Sequence, residues 1–188
     1  EPMEFYGRKV LVTGAAGGIG GAVVAAFRAG GAHVAVADRN VDEIEAEARL
    51  PGDLTESSYV DSLPDRAAEL LGGLDIVVNN AGVITRGAVT ETSDADWALS
   101  LAVNVEAPFR ICRAAIPIMA ARDGGAIVNV ASIFAEIGAT KSPGYSASKG
   151  AVASLTRQLA TDYGPCGIRV NAVAPGLIET PLTAERIR

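Results

Sequence analysis

Lys9-Val10-Leu11-Val12-Thr13-Gly14-Ala15-Ala16-Gly17-Gly18-Ile19-Gly20 joins a β-branched run to an Ala-rich one through a glycine-dense turn. Lys9–Thr13 is short with the apolar centre Val10-Leu11-Val12, the pattern of a strand buried on both faces. Gly18–Ala29 reads as a helix that opens on the glycine turn. Such a helix starts with unpaired backbone N–H groups and the positive end of its dipole, and glycine lets a pyrophosphate approach both closely. The same glycines could make only a tight βα turn. The strand–turn–helix context favours the phosphate cradle, formed by Gly14, Gly17, Gly18, Ile19 and Gly20.

Working outward, further β-branched runs alternate with helical stretches, as in βαβ units around a parallel sheet. Six strands are predicted: Lys9–Thr13, His33–Ala37, one around Leu50–Leu54, Asp75–Asn79, Ala126–Ala131 and Arg169–Ala174. Pro51 and Gly52 oppose strand structure in the third. Val41–Ala48 reads as a short acidic helix, and Pro64 as the first position of a helix over Asp65–Leu71, where its missing N–H costs little. Ser93-Asp94-Ala95-Asp96 resembles a capping box for a helix running towards Ala121, kinked or interrupted at Pro108 and Pro117. Tyr145–Tyr163 carries Val152, Leu155 and Leu159 as a buried helical stripe. The fold class expected is α/β, a Rossmann-like doubly wound parallel sheet in three layers with six strands, in one dinucleotide-binding catalytic domain over residues 1–188.

Composition narrows the function. Of 188 residues, 49% are hydrophobic and 20% charged, ordinary globular usage that argues against disorder or a fibrous repeat. The apolar runs are far shorter than the ~18 residues that span a bilayer, so no membrane partner is expected. Lys and Arg number 16 against 22 Asp and Glu, a net charge of −6 without a basic cluster, which disfavours nucleic acid as a partner. Cys112 and Cys166 form neither a disulfide framework nor a metal-ligand spacing, and the first residues lack the regions of a signal peptide, so a cytoplasmic location is expected. His33 is the only histidine, which argues against a Ser-His-Asp hydrolase and a multi-histidine metal site and reads as structural.

Asp38 stands eighteen positions beyond Gly20, at the end of the second strand. That is close to the ~20-residue offset at which an acid accepts hydrogen bonds from the adenosine ribose. A carboxylate there repels a 2′-phosphate, which favours NAD(H) over NADP(H), although neighbouring Arg39 could contact such a phosphate.

From about Arg8 to Thr180 the sequence resembles the short-chain dehydrogenase/reductase family. Its cofactor pattern T-G-x-x-x-G-x-G matches Thr13, Gly14, Gly18 and Gly20. Its adenine-side acid matches Asp53, followed by Leu54, and Asn79-Asn80-Ala81-Gly82 matches the motif that closes the fourth strand beside the cofactor. Ser132, with Tyr145-Ser146-Ala147-Ser148-Lys149 thirteen residues later, matches the catalytic serine and Y-x-x-x-K pair. Asn104 matches the helix asparagine of that tetrad, and Pro175-Gly176, with Ile178 and Thr180, the segment beside the nicotinamide. Each motif is weak alone, but their joint order is specific. Asp53 taken alone could cap a turn, and Asn104 could serve helix packing.

The chemistry has its own logic. Hydride transfer to a carbonyl leaves charge on oxygen, so one group must give a proton in that direction and take it in the other. Tyrosine serves both if its pKa falls from ~10 to ~7, about 4 kcal/mol of preferential phenolate stabilisation. On a helix, Tyr145 and Lys149 share a face, so the ammonium can supply much of that. Ser132, at the carboxyl end of the fifth strand, could hold the substrate oxygen. The resemblance implies that Lys149 also bonds the nicotinamide ribose and that Asn104 keeps a water passing protons to it.

The reading is a dehydrogenase or reductase acting on a small-molecule secondary alcohol or ketone. Alternatives are an NADPH-dependent 3-oxoacyl thioester reductase, against which Asp38 weighs, and a non-catalytic dinucleotide-binding scaffold, against which Ser132, Tyr145 and Lys149 weigh. The resemblance also implies a homodimer or homotetramer through the helices Ser93–Ala121 and Tyr145–Tyr163. A substrate lid, a seventh strand and a terminal helix are not recognisable in the eight residues after Thr180, so the expectation is that the sequence is incomplete relative to the encoded protein.

Overall fold

The computed structural model describes residues 4–180 and Thr183. Its centre is a six-stranded parallel sheet: β1 (Lys9–Thr13), β2 (His33–Asp38), β3 (Ala48–Pro51), β4 (Ile76–Asn79), β5 (Gly125–Val130) and β6 (Ile168–Val173). The strand order is β3-β2-β1-β4-β5-β6, so the winding direction reverses between β1 and β4. At such a switch point the two following loops diverge and leave a crevice at the carboxyl ends of the strands. The doubly wound fold expected from the sequence is the one observed.

Helices cover both faces, because parallel strands this apolar must be buried on each side. On one face α2 (Ser57–Leu71), α4 (Ala107–Ala120) and α5 (Pro143–Tyr163) pack Leu63, Ala67, Ile111, Met119 and Leu159 against Leu11, Val77 and Ile127. On the other, α1 (Gly18–Ala29) brings Val24 to Val10, Val12, Val34 and Val36, with Phe5 edge-on to Phe27 at 4.8 Å between ring centres. Each fully buried Val, Leu, Ile or Met among these stabilises the fold by roughly 1.5–3 kcal/mol. Among the described residues no helix covers the second face at β6, where Arg169, Asn171 and Val173 are exposed while the alternate Ile168 and Val170 are buried. No helix among the described residues is long and apolar enough to cross a membrane.

Four local expectations are corrected. Val41–Ala48 is not a helix. Its acids are drawn off into tertiary bonds, Glu47 accepting from Val34 N at 2.6 Å and Glu45 pairing with Arg28 at 2.9 Å. Glu47 N donates to Val34 O, so the chain instead extends towards β3. That strand lies earlier than predicted, and Pro51 ends it on the sheet edge, where a missing donor is harmless.

The second helix begins at Ser57, with Pro64 inside rather than leading it. Val60, Leu63, Pro64 and Ala67 form its buried stripe, and that packing outweighs the lost hydrogen bond. The helix from Ser93 is capped as expected, Asp96 N donating to Ser93 Oγ at 3.1 Å. It is interrupted upstream of Pro108, however: α3 (Asp94–Leu101) passes through a π turn, Ala102–Glu106, before α4. Pro108 falls in the first turn of α4, where its missing donor is tolerated, and Pro117 lies inside α4 without ending it.

Candidate active site

The crevice at the switch point holds about 440 Å³ and is lined by the turns after β1 and β4, the end of β2, the loop after β5, α5 and the segment after β6. Its floor is the turn after β1. Gly14 has φ +65°, and a Cβ there would lie 2.7 Å from Ala81 Cα, so only glycine lets the β1 and β4 turns touch. A Cβ at Gly20 would strike the Gly14 carbonyl, which is why the helix can start so close beneath the turn. Asn80 stitches the two turns together, donating from Nδ2 to Thr13 O at 3.1 Å and Gly14 O at 2.9 Å. Thr13 Oγ1 in return accepts from the backbone of Asn80 and Ala81, each at 3.2 Å. No side chain caps α1 at Gly17, so its first N–H groups face the crevice uncapped.

Asp38 stands at the end of β2 beside this floor. One carboxylate oxygen accepts from Ala16 N at 3.0 Å and the other from Arg39 N at 2.7 Å. Arg39 itself does not line the crevice, nor do Asp53 and Leu54. Asp53 accepts from both Thr55 N and Thr55 Oγ1 at 2.9 Å, which holds its carboxyl below the usual range and makes it the turn into α2. Leu54 packs against the core beneath α2.

The opposite wall is α5 with the loop after β5. Tyr145 and Lys149 both line the crevice from α5, and Ser132 joins them from the end of β5. The Lys149 Nζ stands 5.6 Å from the Tyr145 ring centre and donates to Val130 O at 2.6 Å. Burial pushes its ammonium down to about 8. Ser132 Oγ accepts from Phe134 N at 3.2 Å, capping the single turn Ile133–Ala135, and the Phe134 ring meets Tyr145 edge-on at 6.5 Å. The remaining wall is the segment after β6, with Pro175, Gly176, Ile178 and Thr180, tied in by Ile133 N donating to Pro175 O at 3.1 Å.

Asn104 sits behind this wall, 1% exposed, in the π turn. Nδ2 donates to Val83 O at 3.0 Å and Ser148 Oγ at 2.9 Å, and Oδ1 accepts from Val83 N at 2.8 Å. These bonds pin the β4 loop to α5. A Cβ at Gly82 would lie 3.4 Å from both Asn104 Oδ1 and Lys149 Nζ, so Gly82 sits beside both groups.

The structure thus brings together Gly14, Gly17, Gly18, Ile19, Gly20, Asp38, Asn80, Ala81, Gly82, Ser132, Tyr145, Lys149, Pro175, Gly176, Ile178 and Thr180. Sequence reasoning missed Ala16, Ile84, Val130, Ala131 and Thr183, which also line the crevice. Ala16, Val130 and Ala131 adjoin motif positions and were within reach. Ile84 and Thr183 carry no local signal.

A parallel sheet wound in this order, with a glycine turn and a Tyr/Lys pair facing one crevice, defines a dinucleotide-binding α/β oxidoreductase. The short chain dehydrogenase family model matches residues 8–188, and the chain belongs to that family. It is 39% identical to an uncharacterized oxidoreductase of Thermotoga maritima over 99% of this chain and 78% of that protein. The crystal structure of a putative short-chain alcohol dehydrogenase from Sinorhizobium meliloti 1021 superposes with a TM-score of 0.92 at 37% identity, covering 97% of this chain and 77% of that one. A gluconate 5-dehydrogenase from Burkholderia cenocepacia J2315, in complex with NADP and tartrate, gives 0.92 at 30% identity over 99% and 77%.

Proposed function

We propose that this chain moves a hydride between NAD(H) and a secondary alcohol or ketone, with Tyr145 exchanging the proton, Lys149 assisting it and Ser132 holding the substrate oxygen. The observation that carries the reading is that these three side chains face the same crevice as the glycine turn and Asp38.

The crevice suits a dinucleotide. The uncapped start of α1 and the close turn at Gly14 offer N–H donors to a pyrophosphate, with Gly17, Gly18 and Ile19 nearest it. Asp38 presents a carboxylate to the adenosine ribose, and no basic residue stands between Thr13 and Gly20 to receive a 2′-phosphate. Arg39 lies outside the crevice. NAD(H) is therefore preferred. Asp53, engaged with Thr55, keeps at most a place at the adenine edge.

The bound nicotinamide supplies or accepts the hydride. Tyr145 gives its phenolic proton to the oxygen that gains charge, and takes one back in the oxidative direction. A charged Lys149 favours the phenolate and is already oriented by Val130 O. Ser132, freed from Phe134 N, donates to the substrate oxygen as charge develops there. Asn104 acts as a positioning residue, since it holds Ser148, one residue from Lys149.

The exposed Trp97, Leu99 and Phe109 on α3 and α4 support self-association as a dimer or tetramer. Free Cys112 and Cys166 suit a reducing cytoplasm. The test of function is absorbance of the reduced dinucleotide with NAD and NADP against a panel of secondary alcohols. Turnover lost in Tyr145→Phe supports the reading, and a native protein that binds NADH yet turns over nothing contradicts it.

A further inference from the structure

At the edge of the sheet β3 is four residues long and, among the described residues, pairs on one side only, with β2. Its last residue, Pro51, lies opposite Asp38 and has no N–H to give. The next donor is Gly52 N, which bonds Asp38 O at 3.0 Å. The main chain of Asp38 therefore depends on where the end of this short strand is held.

Tyr59, in the first turn of α2, holds it. Its hydroxyl donates to Leu50 O at 2.5 Å, and its ring lies against Gly52, where a Cβ would strike the ring carbons Cδ2, Cε2 and Cζ. Asp53 fastens the same turn from within, accepting from Thr55 N and Thr55 Oγ1 at 2.9 Å. Core packing would be met by the ring alone; the hydroxyl adds a tie from α2 to β3. Burial pushes the Tyr59 phenol up to about 12, with Arg66 opposing and the Asp38 and Asp53 carboxylates adding to the rise, so the hydroxyl keeps its proton at neutral pH.

We propose that Tyr59 is a positioning residue for cofactor choice: by clamping Leu50 and Gly52 it fixes Asp38, so that the carboxylate accepts from the adenosine ribose of NAD(H) and repels a 2′-phosphate. This rests on the reading of Asp38 given above. The carboxylate is itself bonded to Ala16 N at 3.0 Å and Arg39 N at 2.7 Å, so its place follows the main chain around it. A shift of about half an ångström takes a hydrogen bond from its optimum to the edge of its useful range. An acceptor held in place before the ligand arrives binds it with less loss of freedom. Neither Tyr59 nor Gly52 lines the crevice, so both act through Asp38.

The test measures NADH and NADPH affinities by titration calorimetry, which needs no turnover. It compares native protein, Tyr59→Phe, Gly52→Ala, Asp38→Ala and the double variant Tyr59→Phe/Asp38→Ala. Tyr59→Phe keeps the ring and drops the tie to Leu50; Gly52→Ala pushes the intact ring aside. In each of these two, NADH binding is expected to weaken about three- to tenfold while NADPH changes less than about twofold, so the preference narrows. With Asp38→Ala already present, Tyr59→Phe should leave the ratio where it is, because the group it positions is gone. Thermal unfolding of each variant reads the structural effect separately. Equal weakening of both dinucleotides, lower stability at an unchanged ratio, or a full effect of Tyr59→Phe in the Asp38→Ala background overturns the proposal. Native protein that binds NADH and NADPH equally overturns the Asp38 reading and this proposal with it. A native preference for NADH that neither Tyr59→Phe nor Gly52→Ala narrows overturns this proposal alone.

Discussion

Lys149 Nζ donates to the main-chain carbonyl of Val130 at 2.6 Å, so the end of β5 orients the ammonium that faces Tyr145. The bond also ties the helix carrying Tyr145 and Lys149 to the strand that leads into Ser132. One contact thereby sets the relative position of all three groups.

Removing the Tyr145 hydroxyl is expected to reduce turnover by about 10²–10⁴, the usual contribution of a placed general acid. The ring of Tyr145→Phe keeps its edge contact with Phe134, and the turn at Gly14 is untouched, so NADH affinity should change by less than about threefold. Single-turnover hydride transfer with parallel NADH titration checks both. Retention of more than about a tenth of the native rate would require another proton donor.

Lys149 makes stability depend on pH. In the unfolded chain its ammonium persists to the ordinary 10.5, whereas burial pushes it down to about 8 in the fold. Between those values the unfolded state binds more protons, so cofactor-free protein should gain stability as pH rises from 8 towards 10.5, on the order of 1–3 kcal/mol. Lys149→Met has no such proton in either state. Urea unfolding of both proteins at pH 7 and pH 10 measures the difference, and parallel changes in the two would refute it.

Asp38→Ala should narrow the preference for NAD(H), because the carboxylate that repels a 2′-phosphate is gone. Native protein is expected to bind NADH at least tenfold more tightly than NADPH. The Ala16 N–H now bonded to Asp38 is released in the variant and becomes available to a phosphate. Fluorescence titration of both dinucleotides reads the ratio, and equal native affinities would transfer weight to Arg39.

Asn80→Ala removes the two bonds that stitch the β1 turn, at Thr13 O and Gly14 O. The loss should be roughly 1–3 kcal/mol of stability together with weaker dinucleotide binding, because a loosened turn no longer presents its N–H groups in one arrangement. Thermal unfolding with and without NADH separates the two effects. A variant that lost stability yet kept full affinity would show that Asn80 supports the fold alone.

Replacing Ser132 with Ala should lower kcat with little change in KM, as for a bond that strengthens only while charge builds on the substrate oxygen. Pre-steady-state rates on the best alcohol measure it. A rise in KM at constant kcat would make Ser132 a binding group only.

Much was legible along the chain because the signals are short in range. The glycine turn, the apolar runs of β1, β2, β4, β5 and β6, and the spacing of Tyr145 to Lys149 are each local, and the strand ends were placed within a residue or so. The expected acidic helix at Val41–Ala48 failed for a non-local reason: Glu45 is drawn to Arg28 and Glu47 to Arg28 and Val34. Pro64 misled similarly, since its breaking tendency is local while the burial of Val60, Leu63 and Ala67 that overrides it depends on the sheet. Thus the sequence by itself determined the strand and helix alphabet, the glycine turn after β1 and the spacing that puts Tyr145 and Lys149 on one helix, all encoded within a few positions. Tertiary structure alone decided that Asn104 spends its amide on Val83 and Ser148, that Ile84 lines the crevice, and that Arg86 rests on Ser142. Those contacts depend on where separate elements meet in space, and no local pattern of residues specifies that.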